Sequence, residues 1–149
     1  MKKILVPVDG SAESKKAASQ AVLLAEKFGS EVTLITVVEI ENDMVITEFG
    51  IAVSSEYAGV RDALIKIKVD SSNKMLDALI ESLETDIPVH RIVKVGSAHP
   101  DISGEAAKGE YDLIVMGHRG LNPVKRFFMG SVAKRVIEDA PCSVLIVKE

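Results

Sequence analysis

Met116-Gly117-His118-Arg119-Gly120-Leu121-Asn122-Pro123-Val124-Lys125-Arg126-Phe127-Phe128-Met129-Gly130-Ser131 is the stretch on which the reading of this chain turns. It leaves an apolar run, Asp112-Leu113-Ile114-Val115-Met116, passes through two glycines and enters an amphipathic segment at Gly130-Ser131. The grammar is strand, glycine-rich loop, helix. Glycine has no Cβ, so it lets the backbone approach an anion and adopt positive φ, which turns N–H groups inward. A helix starting near Gly130 adds unpaired N–H groups and the positive end of its dipole. These are the ingredients of a phosphate site. The spacing is not the Walker pattern, since Gly-Lys-Ser/Thr occurs nowhere, and no G-x-G-x-x-G is present. Turns and helix caps use glycine without any ligand, so the flanking pattern has to decide.

Outward from the loop the chain alternates. Ile4 to Val8 is a continuous aliphatic run of the kind buried on both faces of a parallel sheet. Asp9-Gly10-Ser11 breaks it, with Ser11 a helix N-cap; Ala17, Ala18, Ala21, Val22, Ala25 and Phe28 then recur at helical spacing until Gly29 stops the helix. A second β-rich run covers Glu31 to Val38. Across 39–60 no period persists, although Met44, Val45, Ile46, Phe49, Ile51, Val53 and Tyr57 make the stretch apolar. A connection this long reads as an insertion packed on its own domain or a sister subunit, or as a nucleotide lid.

Beyond it, Leu64, Ile67, Ser71, Met75, Leu79 and Leu83 mark one face of a long helix that Pro88 ends. Val89 to Val95 is a third strand whose Arg91 and Lys94 suit a sheet edge. A short helix from Ala98 to Gly109 tolerates Pro100 in its first turn. The strand Asp112 to Met116, the loop, a helix from Ser131 to Asp139 and a last strand from Cys142 to Val147 complete five strands and four helices in strict alternation.

A chain of 149 residues, 47% hydrophobic and poor in aromatics, suits one α/β domain spanning 1–149 with an aliphatic core. With 18 basic and 22 acidic residues and no long basic block, it lacks the electrostatic footprint of a nucleic-acid binder. The start, Met1-Lys2-Lys3-Ile4-Leu5-Val6-Pro7-Val8-Asp9, is interrupted too soon for a signal peptide, and no apolar span reaches membrane length. The lone Cys142 lies in an apolar run, which reads as a buried, inert thiol. A cytoplasmic protein is the expectation.

Strict alternation gives a parallel sheet with helices on both faces, because each crossover is right-handed. Ligands of such sheets bind beyond the carboxyl ends of strands, at the switch point in strand order. Asp9, Val37, Val38 and Gly117 would therefore converge if the first strand lay between the second and the fourth.

Pro7-Val8-Asp9-Gly10-Ser11, Asp112-Leu113-Ile114-Val115-Met116-Gly117, Gly120 with Gly130-Ser131, and Ala140-Pro141-Cys142-Ser143-Val144-Leu145-Ile146-Val147 together resemble the pattern of the universal stress protein family, in its ATP-binding branch. The resemblance covers nearly the whole chain apart from 39–60. It implies a five-stranded Rossmann-like sheet in the order 3-2-1-4-5 with four helices on both faces, and a homodimer. It also implies ATP as ligand, with adenine near strands one and two and phosphates in the glycine loop. By position, Pro7, Val8, Asp9 and the backbone of Val37 would face adenine and ribose, and Met116 and Gly117 would line the middle. His118, Arg119 and Gly120 would lie beneath the phosphates, and Gly130, Ser131, Val132 and Ala133 would close the far side.

Each position also has a plainer use. Asp9 accepts from ribose or adenine, or only caps the turn into the first helix. Ser131 donates to phosphate or caps a helix, and the two are compatible. His118 and Arg119 meet phosphate charge or point to water. Lys125 and Arg126 sit on the loop's solvent face or contact phosphate, and His90 and His99, without ligand spacing, are solvated or capping side chains. No nucleophile, base and acid constellation is visible, so no catalytic residue and no protein metal site is assigned; Mg2+ or Mn2+ would be held through the phosphates. The reading is a nucleotide-dependent regulatory or sensor module. The alternatives are a slow ATPase and a ligand-free dimeric scaffold. In the implied order the edge strand 143–147 is the dimer contact, while the regulatory partner cannot be named from one chain.

Overall fold

The computed structural model describes residues 1–39, 46, 47, 50, 51, 55–121 and 129–148. Met44, Val45, Phe49 and Val53 of the insertion, with Lys125 and Arg126 of the glycine loop, lie outside the described residues, as do the side chains of Ile46, Ile51 and Tyr57.

β1 (Lys3–Pro7) is the middle of a five-stranded parallel sheet. Ile4, Leu5 and Val6 are all fully buried, as a continuous aliphatic run with strands on both sides and helices on both faces must be. β2 (Glu31–Glu39) pairs with it on one side and β6 (Leu113–Gly117) on the other. β5 (Val89–Gly96) and β7 (Ser143–Val147) form the edges, giving the order β5-β2-β1-β6-β7. Counted over this sheet alone, that is the order 3-2-1-4-5. β5 spends its polar residues as an edge strand does: Arg91 pairs with Asp77, and Lys94 with Glu105 at 2.7 Å.

The pleat divides the core in two. Ile4, Val6 and Val8 face one way, against α1 (Ala12–Phe28) and α2 (Ser55–Ser82). Leu5 faces the other with Ile114 and Met116, against α3 (Ala98–Lys108) and α4 (Ser131–Asp139). Each fully buried aliphatic side chain contributes about 1.5–3 kcal/mol relative to exposure. α1 begins at Ser11, whose hydroxyl accepts the Ser14 N–H at 3.1 Å. It ends where Gly29 takes the left-handed conformation, φ 64°, and donates its N–H to the Ala25 carbonyl.

Three details differ from the sequence reading. The 39–60 stretch contains a small antiparallel pair, β3 (Ile46–Thr47) with β4 (Gly50–Ile51), and its last residues are already the start of α2. Within α2, Leu76 and Leu79 are buried, whereas Leu64 and Ile67 of the presumed inner face are more than half exposed. The reason is length: 28 residues of helix run about 42 Å, while the eight residues of β5 span about 26 Å, so the amino-terminal half of α2 has no sheet beneath it. Phe28, at the last turn of α1, is also exposed instead of inward.

Candidate functional site

The carboxyl ends of β1, β2 and β6 open on a cleft of about 360 Å³, at the switch point where the chain, having gone from β1 out to β2 and β5, crosses back through α3 to β6 on the other side of β1. Of the residues singled out from the sequence, Pro7, Val8, Asp9, Val37, Met116, Gly117, Arg119, Gly120, Gly130, Ser131, Val132 and Ala133 all line it; His118 does not. The segment after β1 is held at the mouth by β2: Val8 donates its N–H to the Ile35 carbonyl at 2.8 Å, and the Thr36 hydroxyl donates to the Val8 carbonyl at 2.7 Å.

The near limb of the glycine loop is bound inward, to the protein. Gly117 lies against α1, where a Cβ would come within 3.0 Å of the Glu13 backbone. The His118 N–H donates to the Val147 carbonyl at 2.9 Å, the Arg119 N–H to Glu13 Oε2 at 2.6 Å, and the Leu121 N–H to Asp9 Oδ2 at 3.0 Å. A Cβ on Gly120 would collide with Asp9 Oδ2, which is the steric reason for that glycine. The far limb returns to the near one through a bond from the Gly130 N–H to the His118 carbonyl, 2.9 Å. Three of the four amides of 118–121 are thus bonded within the protein, while the rest of the loop, 122–128, lies outside the described residues. Gly120 supplies the one without a partner among the described residues.

Among the described residues, a helix end offers further N–H groups to the cleft. Three helices start around this rim, and two are filled by side chains. At α1, Ser11 caps, Asp9 Oδ1 accepts the Ser11 N–H at 3.0 Å, and Glu13 sits in the first turn. At α3, Asp101 accepts the Ser97 N–H at 2.8 Å and Glu39 the Ala98 N–H at 2.9 Å. At α4 the N-cap is Gly130, no side chain among the described residues bonds it, and the first turn has no acidic residue. The Lys134 N–H bonds the Gly130 carbonyl at 3.0 Å, so the amides of Ser131, Val132 and Ala133 precede the first helical partner while lining the cleft.

Asp9 therefore performs the turn-capping use considered for it and also bridges to Leu121; its remaining lone pairs stay available to a ligand. Arg119 pairs with Glu13, Nε to Oε1 at 3.1 Å, both side chains largely enclosed. His118 acts through its backbone, between β7 and Gly130. Sequence reasoning missed Ser14, Ile35, Glu39, Ala98, Ile102 and Leu121 as lining residues. Glu39 and Ala98 carry a sequence signal, since they flank the carboxyl ends of the second and third strands of the sheet.

Away from the cleft, His99 Nε2 lies 2.6 Å from Asp139 Oδ2, and His90 lies 3.6 Å from Glu31. His90 is the exposed, solvated side chain expected, whereas His99 is a partly enclosed carboxylate partner. Cys142 is half-buried; burial first, and the charge of Asp112 second, raise its thiol pKa, as an unreactive thiol requires. Among the described residues no group of three or more His, Cys, Asp or Glu is placed to hold a metal ion, and no helix is long and apolar enough to cross a membrane.

The model of the universal stress protein family matches residues 1–148. The chain belongs to the universal stress protein family. A universal stress protein of Methanocaldococcus jannaschii is 34% identical over 148 residues, covering 99% of this chain and 82% of the relative. Among solved structures, the universal stress protein UspA from Lactobacillus plantarum superposes with a TM-score of 0.84 at 24% identity, covering 98% and 97% of the two chains. Two further structures of the family share the fold and were solved with nucleotides. One is a complex with cAMP (TM-score 0.62, 21% identity, 98% and 96% covered), and the other is the Archaeoglobus fulgidus protein with dAMP (0.60, 19%, 99% and 98%).

Proposed function

We propose that this member of the family binds an adenine nucleotide, ATP, in the cleft, and that occupancy of the site, not turnover, is its output as a regulatory or sensor module in the stress response. The observation that carries the reading is the amino end of α4, unfilled by any side chain among the described residues. It is a row of amides without helical partners on the wall of a cleft, beside the Gly120 N–H, where the other two helix starts on the rim are filled by side chains. Such an end accepts phosphate. Pro7, Val8, Ile35, Val37, Ile102 and Met116 offer an apolar floor for a purine, and Asp9 a hydroxyl acceptor. The nucleotides held by the two family structures support the ligand class. In this reading Mg2+ or Mn2+ is held chiefly through the phosphates.

Phosphoryl transfer needs an in-line nucleophile, charge neutralisation and usually a positioned base. Amides and one serine hold ground-state phosphates, and an interaction made equally in ground and transition states does not raise kcat. Native protein should release an adenine nucleotide on denaturation and titrate with ATP by calorimetry. Gly120→Val, which forces Asp9 away, should abolish that heat. Unchanged ATP affinity in Gly120→Val would remove the claim. Single-turnover hydrolysis at about 1 per second or faster, lost in Gly120→Val, would make the protein an ATPase instead.

The proposed assembly is a homodimer through the edge strand 143–147, in the cytoplasm. β7 has a neighbour on one side only, and Leu145 on it and Ile137 on α4 are exposed. Sedimentation at micromolar concentration should give a dimer that Leu145→Lys dissociates.

A further inference from the structure

We infer that Glu13 sets how strongly the cleft favours polyphosphate over monophosphate, by holding the Arg119 cation against its own carboxylate; the inference rests on the nucleotide reading and adds a selectivity residue to it. Glu13 is not on the cleft wall. It stands behind it, in the first turn of α1, with one oxygen on the Arg119 N–H (2.6 Å) and the other beside the Arg119 Nε (3.1 Å). Its side chain is 14% exposed and that of Arg119 16%, and the Gly117 backbone is packed directly on it. Arg119 itself lines the cleft, adjacent to the Gly120 amide and facing the α4 amino end across a van der Waals contact between its Cα and the position a Gly130 Cβ would take, 3.5 Å.

Two consequences follow from charge and geometry. The N–H bond positions the loop: without it the near limb is no longer tied to α1. The guanidinium contact sets the field, because a carboxylate this close to a cation cancels most of the potential it would project into the cleft. An arriving phosphate therefore meets neutral amides and a neutralised arginine, an arrangement that binds mono- and polyphosphates with little extra gain per added charge. Replacing Glu13 by Gln keeps an acceptor for the Arg119 N–H and removes only the charge, so the cleft becomes more positive by one unit. The ligand with most charge must gain most.

Glu13 is thus a positioning residue for Arg119 and separable from a mere first-turn dipole partner, for which Gln would cost stability and leave ligand preference alone. The experiment is calorimetric titration of native protein, Glu13→Gln and Glu13→Gln/Arg119→Gln with adenosine, AMP, ATP and inorganic tripolyphosphate at constant ionic strength. The expected result is an ATP-to-adenosine affinity ratio raised about tenfold in Glu13→Gln, a smaller rise for AMP, and return to the native ratio in the double variant. Tripolyphosphate should gain in parallel with ATP. An unchanged ratio in a variant that still binds adenosine overturns the role of Glu13 and leaves the nucleotide reading standing. Failure of both native protein and Glu13→Gln to bind ATP or tripolyphosphate overturns both. Tripolyphosphate gained without any adenosine binding upholds Glu13 and removes the base from the ligand.

Discussion

The starts of α1 and α4 face the same rim and differ in one respect: α1 carries its own anion and cap, and among the described residues α4 carries neither. At α1 the Ser11 hydroxyl takes the Ser14 N–H, and Glu13 stands in the first turn. At α4 the corresponding place is Gly130, in an extended conformation (φ −60°, ψ 149°) that any residue adopts, with room at ordinary contact distance for a Cβ. A serine or aspartate there would stabilise the helix. Among the described residues no side chain takes that place, which is why the proposed reading puts the phosphate there. Glycine at 130 differs in this from glycine at 120, where a Cβ collides with Asp9 within the chain itself.

The largest expected effect comes from making α4 resemble α1. Gly130→Asp should cap the helix and complement its dipole, raising stability by about 0.5 kcal/mol, while placing a carboxylate where phosphate would sit. Like charges so placed cost several kcal/mol, so ATP affinity should fall at least about a hundredfold. Thermal melts and calorimetry on the same sample check both signs. A variant that is less stable, or that binds ATP as before, would dissolve the contrast.

The reverse change is smaller. Ser11→Ala should cost about 1 kcal/mol, lowering Tm by about 3 °C, without altering ATP affinity, because Ser11 serves its own helix. Loss of affinity in that variant would mean the two helix starts are coupled.

The smallest effect is confined to acid. At the opposite end of the sheet, Asp112 Oδ2 accepts the amides of Lys2 (2.6 Å) and Lys3 (3.0 Å), an internal carboxylate gathering backbone N–H groups as phosphate would at α4. Those bonds, the one from Lys2 first, pull its pKa below the ordinary aspartate range. A depressed folded pKa contributes stability above the unfolded pKa and loses it as pH falls through the folded value. The urea midpoint of the native protein should therefore drop below about pH 4, and that of Asp112→Asn should drop less steeply over the same window. Parallel curves would show that Asp112 gains nothing from the two amides.

The aliphatic run of Ile4 to Val8, the Ser11 cap, the Gly29 stop and the alternation of strand and helix were legible because each depends on neighbours in sequence or on a simple period. The same is true of the loop's place after β6. The overhang of α2 was not legible, since the spacing of Leu64, Ile67 and Leu79 is equally regular whether or not a sheet lies beneath; only the relative lengths of α2 and β5 decide burial. Nor could His99 be paired with Asp139, forty positions away.

The sequence by itself determined most of the residues that reach the cleft, because strand ends and glycines are local signals and a parallel sheet brings its carboxyl ends to one side; Ser14, Ile35, Ile102 and Leu121 had no such signal. What each residue does there was decided by tertiary structure. Asp9 binds Leu121 and Glu13 binds Arg119 at separations above a hundred residues, and those two carboxylates take two of the amides of 118–121. Hydrogen-bond partners are chosen by distance in space, and no spacing along the chain encodes that distance.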